Sequence, residues 1–431
     1  MTDPVGEVLP DALPTRSWRV DSRPLRESPD FRRIWSSGLV TYLGSITTYV
    51  ALPFQIKQLT GSLALAGLLS VVELVPLVVF GLWGGAIADA FDRRRTVIAA
   101  ESVMLVLSGA LTANALLPEP HVWPLFVVAG LFAVADATQR PSLDAMIQRV
   151  VAPDQMTAAG ALSSIRYSIG AIVGPALAGV LLTVGATWMA YGFDVLTYLA
   201  SLLILLRVTH VSAPVADVAS LRGVVEGLRY AMGRKDLLGT YAVDVLAMFF
   251  GMSTAIFPFV ATVLDAPWAV GLLYAAESVG ALIVSLTSGW TARVHRHGWA
   301  IALAASAYGA AIICFGLAPD IEVALVALAC AGAADMTSGI FRSAVWNSTI
   351  PGELRGRLAG VELLSYSTGP VLGNARAGLV ASATSVRTSI VSGGVLCMVC
   401  VAAATAAMRE FRDYDGRTSP HAAAERSSRS G

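Results

Sequence analysis

Long apolar runs alternate with short polar breaks along most of the chain. A run of roughly 20 apolar residues crosses a bilayer as a helix, because a helix satisfies its own backbone hydrogen bonds in lipid. The pattern predicts helices at residues 34–57, 62–88, 96–117, 122–146, 157–183 and 187–207, and again at 237–262, 267–292, 298–317, 321–345, 354–382 and 386–408. We therefore expect an all-α membrane protein with twelve transmembrane helices.

The polar segments divide this pattern into five parts. These are an N-terminal tail (1–33), a six-helix bundle (34–207), a central loop (208–236), a second six-helix bundle (237–408) and a C-terminal tail (409–431). Apolar positions at helical spacing predict an amphipathic helix on the membrane surface over residues 220–232. The Ser- and Arg-rich end from Asp413 onward has no such pattern and is expected to be disordered.

Composition agrees with lipid as the solvent, since 55% of the residues are hydrophobic and 14% are charged, whereas soluble domains have about a quarter charged. The net charge of zero gives no reason to expect a nucleic-acid partner. Basic residues concentrate in the tails, the central loop and the loops on the same side, and only Lys57 and Arg387 lie opposite. Because basic loops stay in the cytoplasm, we expect a multi-pass protein of the cell (inner) membrane with both termini cytoplasmic.

Two stretches of the second half repeat stretches of the first half. The pairs are Gly67/Gly271 and Glu73/Glu277 at an offset of 204 residues, and Asp136/Asp335, Gly174/Gly373 and Gly179/Gly378 at an offset of 199. Acidic residues are rare in apolar spans, so their recurrence favours duplication of a six-helix unit over a chance match. Repeats of this kind place a substrate between the halves near the middle of the membrane, where access alternates by rocking.

A short turn with an acidic and a basic cluster follows the second predicted helix. Its sequence, Gly85-Ala-Ile-Ala-Asp89-Ala-Phe-Asp92-Arg93-Arg94-Arg95, resembles the signature inner loop of the major facilitator superfamily. The resemblance implies that Gly85 allows close helix approach and that Asp89 caps a helix or pairs across the halves. It also implies that Arg93 and Arg94 hold an inner gate. Asp92 stands where the family usually has Gly, so we expect a tighter or differently paired turn. The alternative is an ordinary cytoplasmic loop.

The fifth predicted helix contains Gly170-Ala-Ile-Val-Gly174-Pro175-Ala-Leu-Ala-Gly179. Its glycines form a smooth packing face, and the proline bends the helix. The segment resembles a helix 5 motif that marks drug/proton antiporters more than importers within the superfamily, with Ala178 in place of a second terminal Gly. A generic packing face of small residues is the alternative interpretation.

A longer resemblance extends over most of the chain. It includes Arg140-Pro-Ser-Leu-Asp-Ala-Met-Ile-Gln and Val270-Gly-Leu-Leu-Tyr-Ala-Ala-Glu, which are similar to the branch of the superfamily that exports the siderophore enterobactin and macrolide antibiotics. The resemblance implies the major facilitator fold and proton-driven efflux, by antiport, of a siderophore-like or amphiphilic drug-like small molecule, with antibiotic resistance as a possible outcome. Importing a small organic solute is an alternative, and a non-transporting membrane protein is another.

The sequence gives no sign of an enzyme or of a bound cofactor. A P-loop needs Gly-Lys-Ser/Thr, and the lysines, Lys57 and Lys235, lie in Ile-Lys-Gln and Arg-Lys-Asp. The histidines lie in loops or tails and form no cluster with Cys or acidic residues, so we expect neither a metal site nor a catalytic site. Unless a separate ATPase attaches, an ion gradient must supply the work. The expected partners are the substrate, protons and the lipid bilayer, with the protein acting as a monomer.

Ionisable residues inside apolar spans are candidates for function, since burying a charge at the membrane centre costs roughly 2.5–3.5 kcal/mol on insertion scales. They are Glu73, Asp136, Arg166, Asp194, Asp244, Glu277, Asp335, Glu362 and Arg376. Nearest the middle of their spans lie Glu73, Asp136 and Glu277, which we predict to couple transport to protons. The alternative is permanent ion pairing with Arg166 or Arg140, of which Arg140 lies one helical turn from Asp136.

The predicted substrate contacts are one cation and four aromatic residues. Arg166 would attract a carboxylate or catecholate, while stacking surfaces would come from Tyr42, Tyr167, Phe250 and Tyr366. Aromatic residues in membrane spans also fill packing space, which is the alternative role for each.

Overall fold

The computed structural model describes residues 21–90, 92–209, 229–350 and 352–419, without the side chains of 77, 78, 80–90 and most of 352–364. All regular secondary structure in these ranges is helical, which confirms the predicted fold class. The long helices are α1 (Pro29–Thr60), α2 (Leu63–Ala90), α3 (Arg93–Ala115), α4 (Trp123–Val150), α5 (Met156–Val184), α6 (Thr187–Leu205), α7 (Lys235–Gly251, continued by Phe257–Val263), α8 (Val270–Thr287), α9 (His297–Leu317), α10 (Ile321–Thr349), α11 (Gly352–Ala383) and α12 (Val386–Ala407).

Nine helical segments of the described residues are long and apolar enough to cross a membrane. Helices α4 and α11 are long enough but more polar, because they carry charged and amide side chains such as Asp136, Gln139 and Arg140 on α4. In α2 the segment Leu63–Pro76, whose side chains the structure describes, is a shorter apolar helix. Reduced hydropathy therefore marks helices whose polar residues face other helices or an internal cavity.

Local capping places two helix starts earlier than the hydropathy pattern predicted. Helix α1 begins at Pro29, before the predicted residue 34, because the Ser28 side chain accepts a hydrogen bond from the Phe31 amide and the proline suits the first turn. The predicted tail therefore ends before residue 33. Helix α3 begins at Arg93 because Asp92 caps it, accepting a hydrogen bond from the Arg95 amide.

The beginning of the C-terminal tail packs against the helices. Phe411 is 1% exposed and lies against Gly239 of α7 and Gly298 of α9. The Tyr414 hydroxyl lies 3.1 Å from that of Ser348 on α10. The expectation of disorder from Asp413 is therefore wrong for residues 413–419, where a buried aromatic anchor replaces the periodic pattern of a helix.

The rest of that tail and most of the predicted surface helix lie outside the described residues. Of residues 220–232, the structure describes only those from 229, which are helical. The amphipathic helix stays a prediction for that reason.

The same pairs of helices pack in both halves of the chain. In the first half α1 packs on α5 and α6, α4 packs on α2 and α3, and α3 packs on α6. In the second half α7 packs on α11 and α12, α10 packs on α8 and α9, and α9 packs on α12. Each pair recurs when six is added to the helix number, so the packing follows the internal repeat of the sequence.

Glycines bring the two halves together at two crossings, α2 with α11 and α5 with α8. At the first, a Cβ on Gly67 would lie 3.0 Å from the Cα of Gly378. At the second, a Cβ on Gly179 would lie 3.0 Å from the Cα of Gly271. Because backbones approach this closely only without side chains, these glycines set the distance between the halves. Both crossings lie at the end of the helices remote from the chain termini.

We expect Gly271→Ile to weaken the α5–α8 crossing, because its Cβ alone would collide with the Pro175 carbonyl oxygen. Overpacking costs about 1–3 kcal/mol, which corresponds to a shift of about 5–150-fold in a two-state equilibrium. Spin labels at the exposed ends of α5 (Val184) and α11 (Thr384), in a cysteine-free background, should report longer distances across the halves. The matched control is Gly109→Ile, where no atom lies within 4 Å. Unchanged distances in Gly271→Ile would show that this contact does not hold the halves together.

Candidate functional site

A cavity of about 380 Å³ lies inside the membrane-spanning region. Its walls come mainly from α1, α3, α4 and α5, with contributions from α2, α6 and α11. Five residues that the sequence predicted as functional line it together: Tyr42, Glu73, Asp136, Arg166 and Tyr167. The structure therefore brings residues from four helices of the first half to one chamber.

Arg166 is the buried cation of this cavity. It is 2% exposed, and its guanidinium fills the space above Gly38 of α1, where a side chain would collide with it. Its Nε and Nη1 atoms have no hydrogen-bond partner among the described residues. A buried cationic donor without a partner is costly in free energy, so an anionic group entering the cavity would stabilise it.

Two tyrosines stand beside this arginine. The rings of Tyr42 and Tyr167 meet edge to face with centroids 5.3 Å apart, and the Arg166 guanidinium lies 4.9 Å from the Tyr167 ring centre. The glycine face of α5 makes this possible, because the Tyr42 ring occupies the space where Gly170 would otherwise carry a side chain. A cation and two aromatic rings thus form one polar and aromatic wall.

The acidic residues of the cavity differ in their partners. Asp136 forms an ion pair with Arg140 at 2.9 Å, which is the one-turn pairing that its spacing allowed. Glu73 has no recorded ion pair or hydrogen bond among the described residues, and it lies in electrostatic contact with Tyr49 of α1. Of these two predicted coupling residues, Glu73 is therefore the one without a cation.

A third acidic residue of the cavity, Glu101 of α3, was missed from the candidate residues. It is 2% exposed, and its Oε1 atom accepts hydrogen bonds from Gln139 of α4 at 2.9 Å and from Thr41 of α1 at 3.4 Å. Its position inside the predicted span 96–117 was a sufficient signal.

Asp194 lies outside the cavity and is a structural acid. It is fully buried and accepts hydrogen bonds from Thr48 of α1 at 2.6 Å and from Ser108 of α3 at 2.7 Å. Thr197, on its own helix α6, donates a further bond at 3.4 Å. Hydroxyl donors from three helices satisfy this carboxylate, so it joins α1, α3 and α6.

Hydrogen bonds between the halves close the cavity at the end remote from the termini. The Tyr49 hydroxyl of α1 lies 3.3 Å from the Thr254 hydroxyl, which in turn donates to Asn374 of α11 at 3.1 Å. Nearer the end of α1, the Lys57 ammonium donates to the Pro258 carbonyl oxygen at 2.7 Å. These contacts adjoin the two glycine crossings and seal the same end of the molecule.

Part of the buried charge in the second half is neutralised by an ion pair. Arg342 of α10 forms a buried ion pair with Asp244 of α7 and lies 3.6 Å from Asp335. The Ser365 hydroxyl of α11 donates to Asp244 at 2.9 Å. This cluster connects three helices. Arg376 of α11 is a second cation of that half, and its described hydrogen bonds are to the carbonyl oxygens of Ser389 and Met252, each at 3.4 Å.

Three predicted site residues of the second half do not line the described cavity. Phe250 packs edge to face against Phe249, with centroids 4.8 Å apart, and Tyr366 lies beside Trp346. Glu277 of α8 has Asp335 as its like-charged neighbour and, like Glu73, interacts with Tyr49. Glu73 and Glu277 thus approach the same inter-half contact from opposite halves.

The two sequence motifs occupy distinct places in the structure. Arg94 donates to the Leu206 carbonyl oxygen at 2.8 Å and so ties the start of α3 to the end of α6, while Arg93 is buried. Gly85 and Asp89 lie in the last turns of α2, where the structure describes the backbone but not the Asp89 side chain.

In the helix 5 motif, Gly174 faces Ile46 of α1 and Gly179 forms the crossing with α8. Pro175 lies inside α5.

Comparison with known proteins supports a transport function. A family model described as a transmembrane secretion effector matches residues 21–428. The enterobactin exporter EntS of Shigella flexneri is 27% identical over 399 residues, covering 90% of this chain and 93% of that protein. The enterobactin exporter EntS of Citrobacter koseri is 27% identical over 390 residues, covering 89% and 93%.

Solved structures share the fold at low sequence identity. A peptide transporter POT in complex with sulfate gives a TM-score of 0.73 at 12% identity, covering 90% of this chain and 96% of that chain. A bacterial homologue of the human lysosomal transporter Spinster, in an inward-facing and unoccupied conformation, gives 0.69 at 15% identity, covering 93% and 100%. These similarities establish the architecture and carry no information on the substrate.

We expect Arg342→Gln to destabilise the protein by about 3–5 kcal/mol, because it leaves the carboxylate of Asp244 buried without its cation. Arg166→Gln removes an arginine that has no ion pair in the described structure, so stability should stay the same or rise. Thermal unfolding of both variants in the same detergent tests the contrast. Equal losses would mean that Arg166 has a structural partner.

Proposed function

The chain belongs to the transmembrane secretion effector family of the major facilitator superfamily, and we propose that it is a proton-driven exporter of a siderophore-like or amphiphilic drug-like small molecule. Its relatives and structural neighbours are transporters, which confirms the prediction of a transporter rather than an enzyme. The chain is accordingly a multi-pass membrane protein. The proposal adds the direction of transport, which is export, the proton gradient as its energy source, and the class of substrate.

The observation that carries the proposal is the unpaired Arg166 in a cavity closed at one end. An anionic substrate would give its guanidinium the hydrogen bonds that the described residues leave unmade. Tyr42 and Tyr167 would stack against aromatic parts of the same molecule. Catecholate siderophores combine both features, which agrees with the enterobactin exporters among the relatives.

Alternating access follows from how the halves meet. The glycine crossings and the Tyr49–Thr254 contact close the end remote from the termini. If both termini are cytoplasmic, as the basic loops predict, the cavity is closed toward the outside and loads from the cytoplasm. Rocking of the halves about this interface would expose it to the other side.

Glu73 and Glu277 are well placed to link protons to this motion. Both lie in electrostatic contact with Tyr49, whose hydroxyl belongs to the closing network. A change of charge on either carboxylate would alter the interaction energy at the contact between the halves. Asp136 would act differently, because protonation would have to break its ion pair with Arg140.

Export predicts that cells producing the protein accumulate less enterobactin or erythromycin than cells without it. The difference should vanish when a protonophore collapses the proton gradient. Arg166→Gln, at equal protein level in the membrane, is expected to lose the effect on enterobactin because the anion contact is removed. Higher accumulation in producing cells would instead establish an importer, and no difference for either compound would remove the export proposal for these classes.

At least one of Glu73→Gln, Asp136→Asn and Glu277→Gln should abolish transport driven by an imposed pH gradient in proteoliposomes. Each replacement keeps the size of the side chain and removes its ability to exchange a proton. Glu322→Gln, in the exposed first turn of α10, is the matched control and should transport normally. Wild-type rates in all three variants would exclude these residues from coupling.

A further inference from the structure

Glu101 is an internal carboxylate that the transport scheme above leaves without a role. It lines the cavity from α3 but is 2% exposed, so it lies in the cavity wall rather than on its surface. No salt bridge neutralises it among the described residues. Its hydrogen-bond donors are the neutral Gln139 and Thr41.

One oxygen of this carboxylate is unsatisfied. Gln139 and Thr41 both donate to Oε1, while Oε2 is fully buried without a hydrogen-bond partner. The Ser201 hydroxyl of α6 is also buried and unpartnered, and it lies beside the carboxylate. The Ser201 hydroxyl can donate to Oε2 while the carboxylate is charged and can accept from Oε2 when it carries a proton, so this pair can serve both protonation states.

The other buried acids of the described structure are occupied differently. Asp236 and Asp244 have arginine partners, and Asp194 is satisfied by three hydroxyl groups. A carboxylate held by a cation resists protonation, because the proton would have to break the ion pair. Glu101 has no such cation, and its contacts reach α1, α4 and α6 from α3.

We propose that Glu101 is a proton-binding site of the transport cycle, with Gln139, Thr41 and Ser201 as its positioning residues. This inference rests on the proposed function and adds a carrier that the sequence did not reveal. The step transfers one proton from water in the cavity to Oε2 and changes the carboxylate charge from minus one to zero. Release to water at the other side reverses it, while Oε1 keeps its two hydrogen bonds.

The protonation of Glu101 also depends on the groups that face the same cavity. These are Tyr42 and Tyr49 of α1, Glu73 of α2, Asp136 and Arg140 of α4, Arg166 and Tyr167 of α5, and Tyr198 of α6. An anionic substrate bound at Arg166 would place negative charge in the chamber that Glu101 borders. Loss of the Glu101 charge would then favour binding, and binding would favour the proton, because the coupling is reciprocal.

Infrared spectroscopy tests proton binding without any substrate. The full-length protein in lipid is titrated from acid to alkaline pH while the carbonyl stretch of protonated carboxylic acids is recorded. The wild-type protein should show a pH-dependent band from Glu101. Glu101→Gln should remove this band, and Glu101→Asp should retain it at a shifted position. The control Glu322→Gln should leave it unchanged. A titrating signal identical in wild type and Glu101→Gln would overturn the proposal, as would a Glu101 band that never titrates.

Proteoliposomes then test whether this proton is coupled to transport, with enterobactin and erythromycin as probes. Glu101→Gln should lower accumulation driven by a pH gradient by about tenfold or more, and this loss should be much larger than any change in exchange without a gradient. Glu101→Asp should recover part of the gradient-driven rate. Equal losses in both assays would mean a structural role and would overturn coupling through Glu101. A wild-type protein that moves neither probe would count against the proposed function, whereas the infrared result would still decide proton binding.

Discussion

The arrangement of this protein depends on four glycines that let two pairs of helices touch backbone to backbone. Gly67 meets Gly378, and Gly179 meets Gly271, at one end of the molecule. Because a single added methyl group would collide at either crossing, the halves close there only while these positions lack side chains. The hydrogen bonds of Tyr49 and Lys57 to the second half then form beside contacts that are already made. The internal cavity is closed at that end as a result.

Hydropathy predicted the architecture because a helix that spans a membrane needs roughly 20 consecutive apolar residues. The charge of the loops adds a predicted orientation. Twelve runs gave twelve helices, and the repeat offsets anticipated the repeated packing. The ends of the helices were harder to predict from the sequence, because side-chain caps such as Ser28 and Asp92 determine where a helix begins. The packed segment around Phe411 was missed, because one buried aromatic residue leaves no periodic signal.

The candidate site was predicted in part. Spacing on α4 anticipated the pairing of Asp136 with Arg140, and the rarity of buried charge identified Arg166. Sequence patterns could not show which face of a helix borders the cavity, so Phe250 and Tyr366 were grouped with Tyr42 and Tyr167, although only the last two line it. Glu101 could have been predicted, because an acidic residue inside the apolar span 96–117 meets the same criterion as Glu73 and Glu277.

The two glycine crossings are copies of one another under the internal repeat, with Gly67 corresponding to Gly271 and Gly179 to Gly378. In a dimer of identical six-helix chains, the two glycine crossings would be formed by the same pair of residues. They would be related by a two-fold axis, as in an isologous interface. A single mutation would then have damaged both crossings at once. Fusion of the halves into one polypeptide separates them, so that each crossing can change in evolution independently. The same separation lets equivalent parts of the two halves differ in charge, as they do at Arg166, which has no ion pair among the described residues, and at Arg342, which pairs with Asp244.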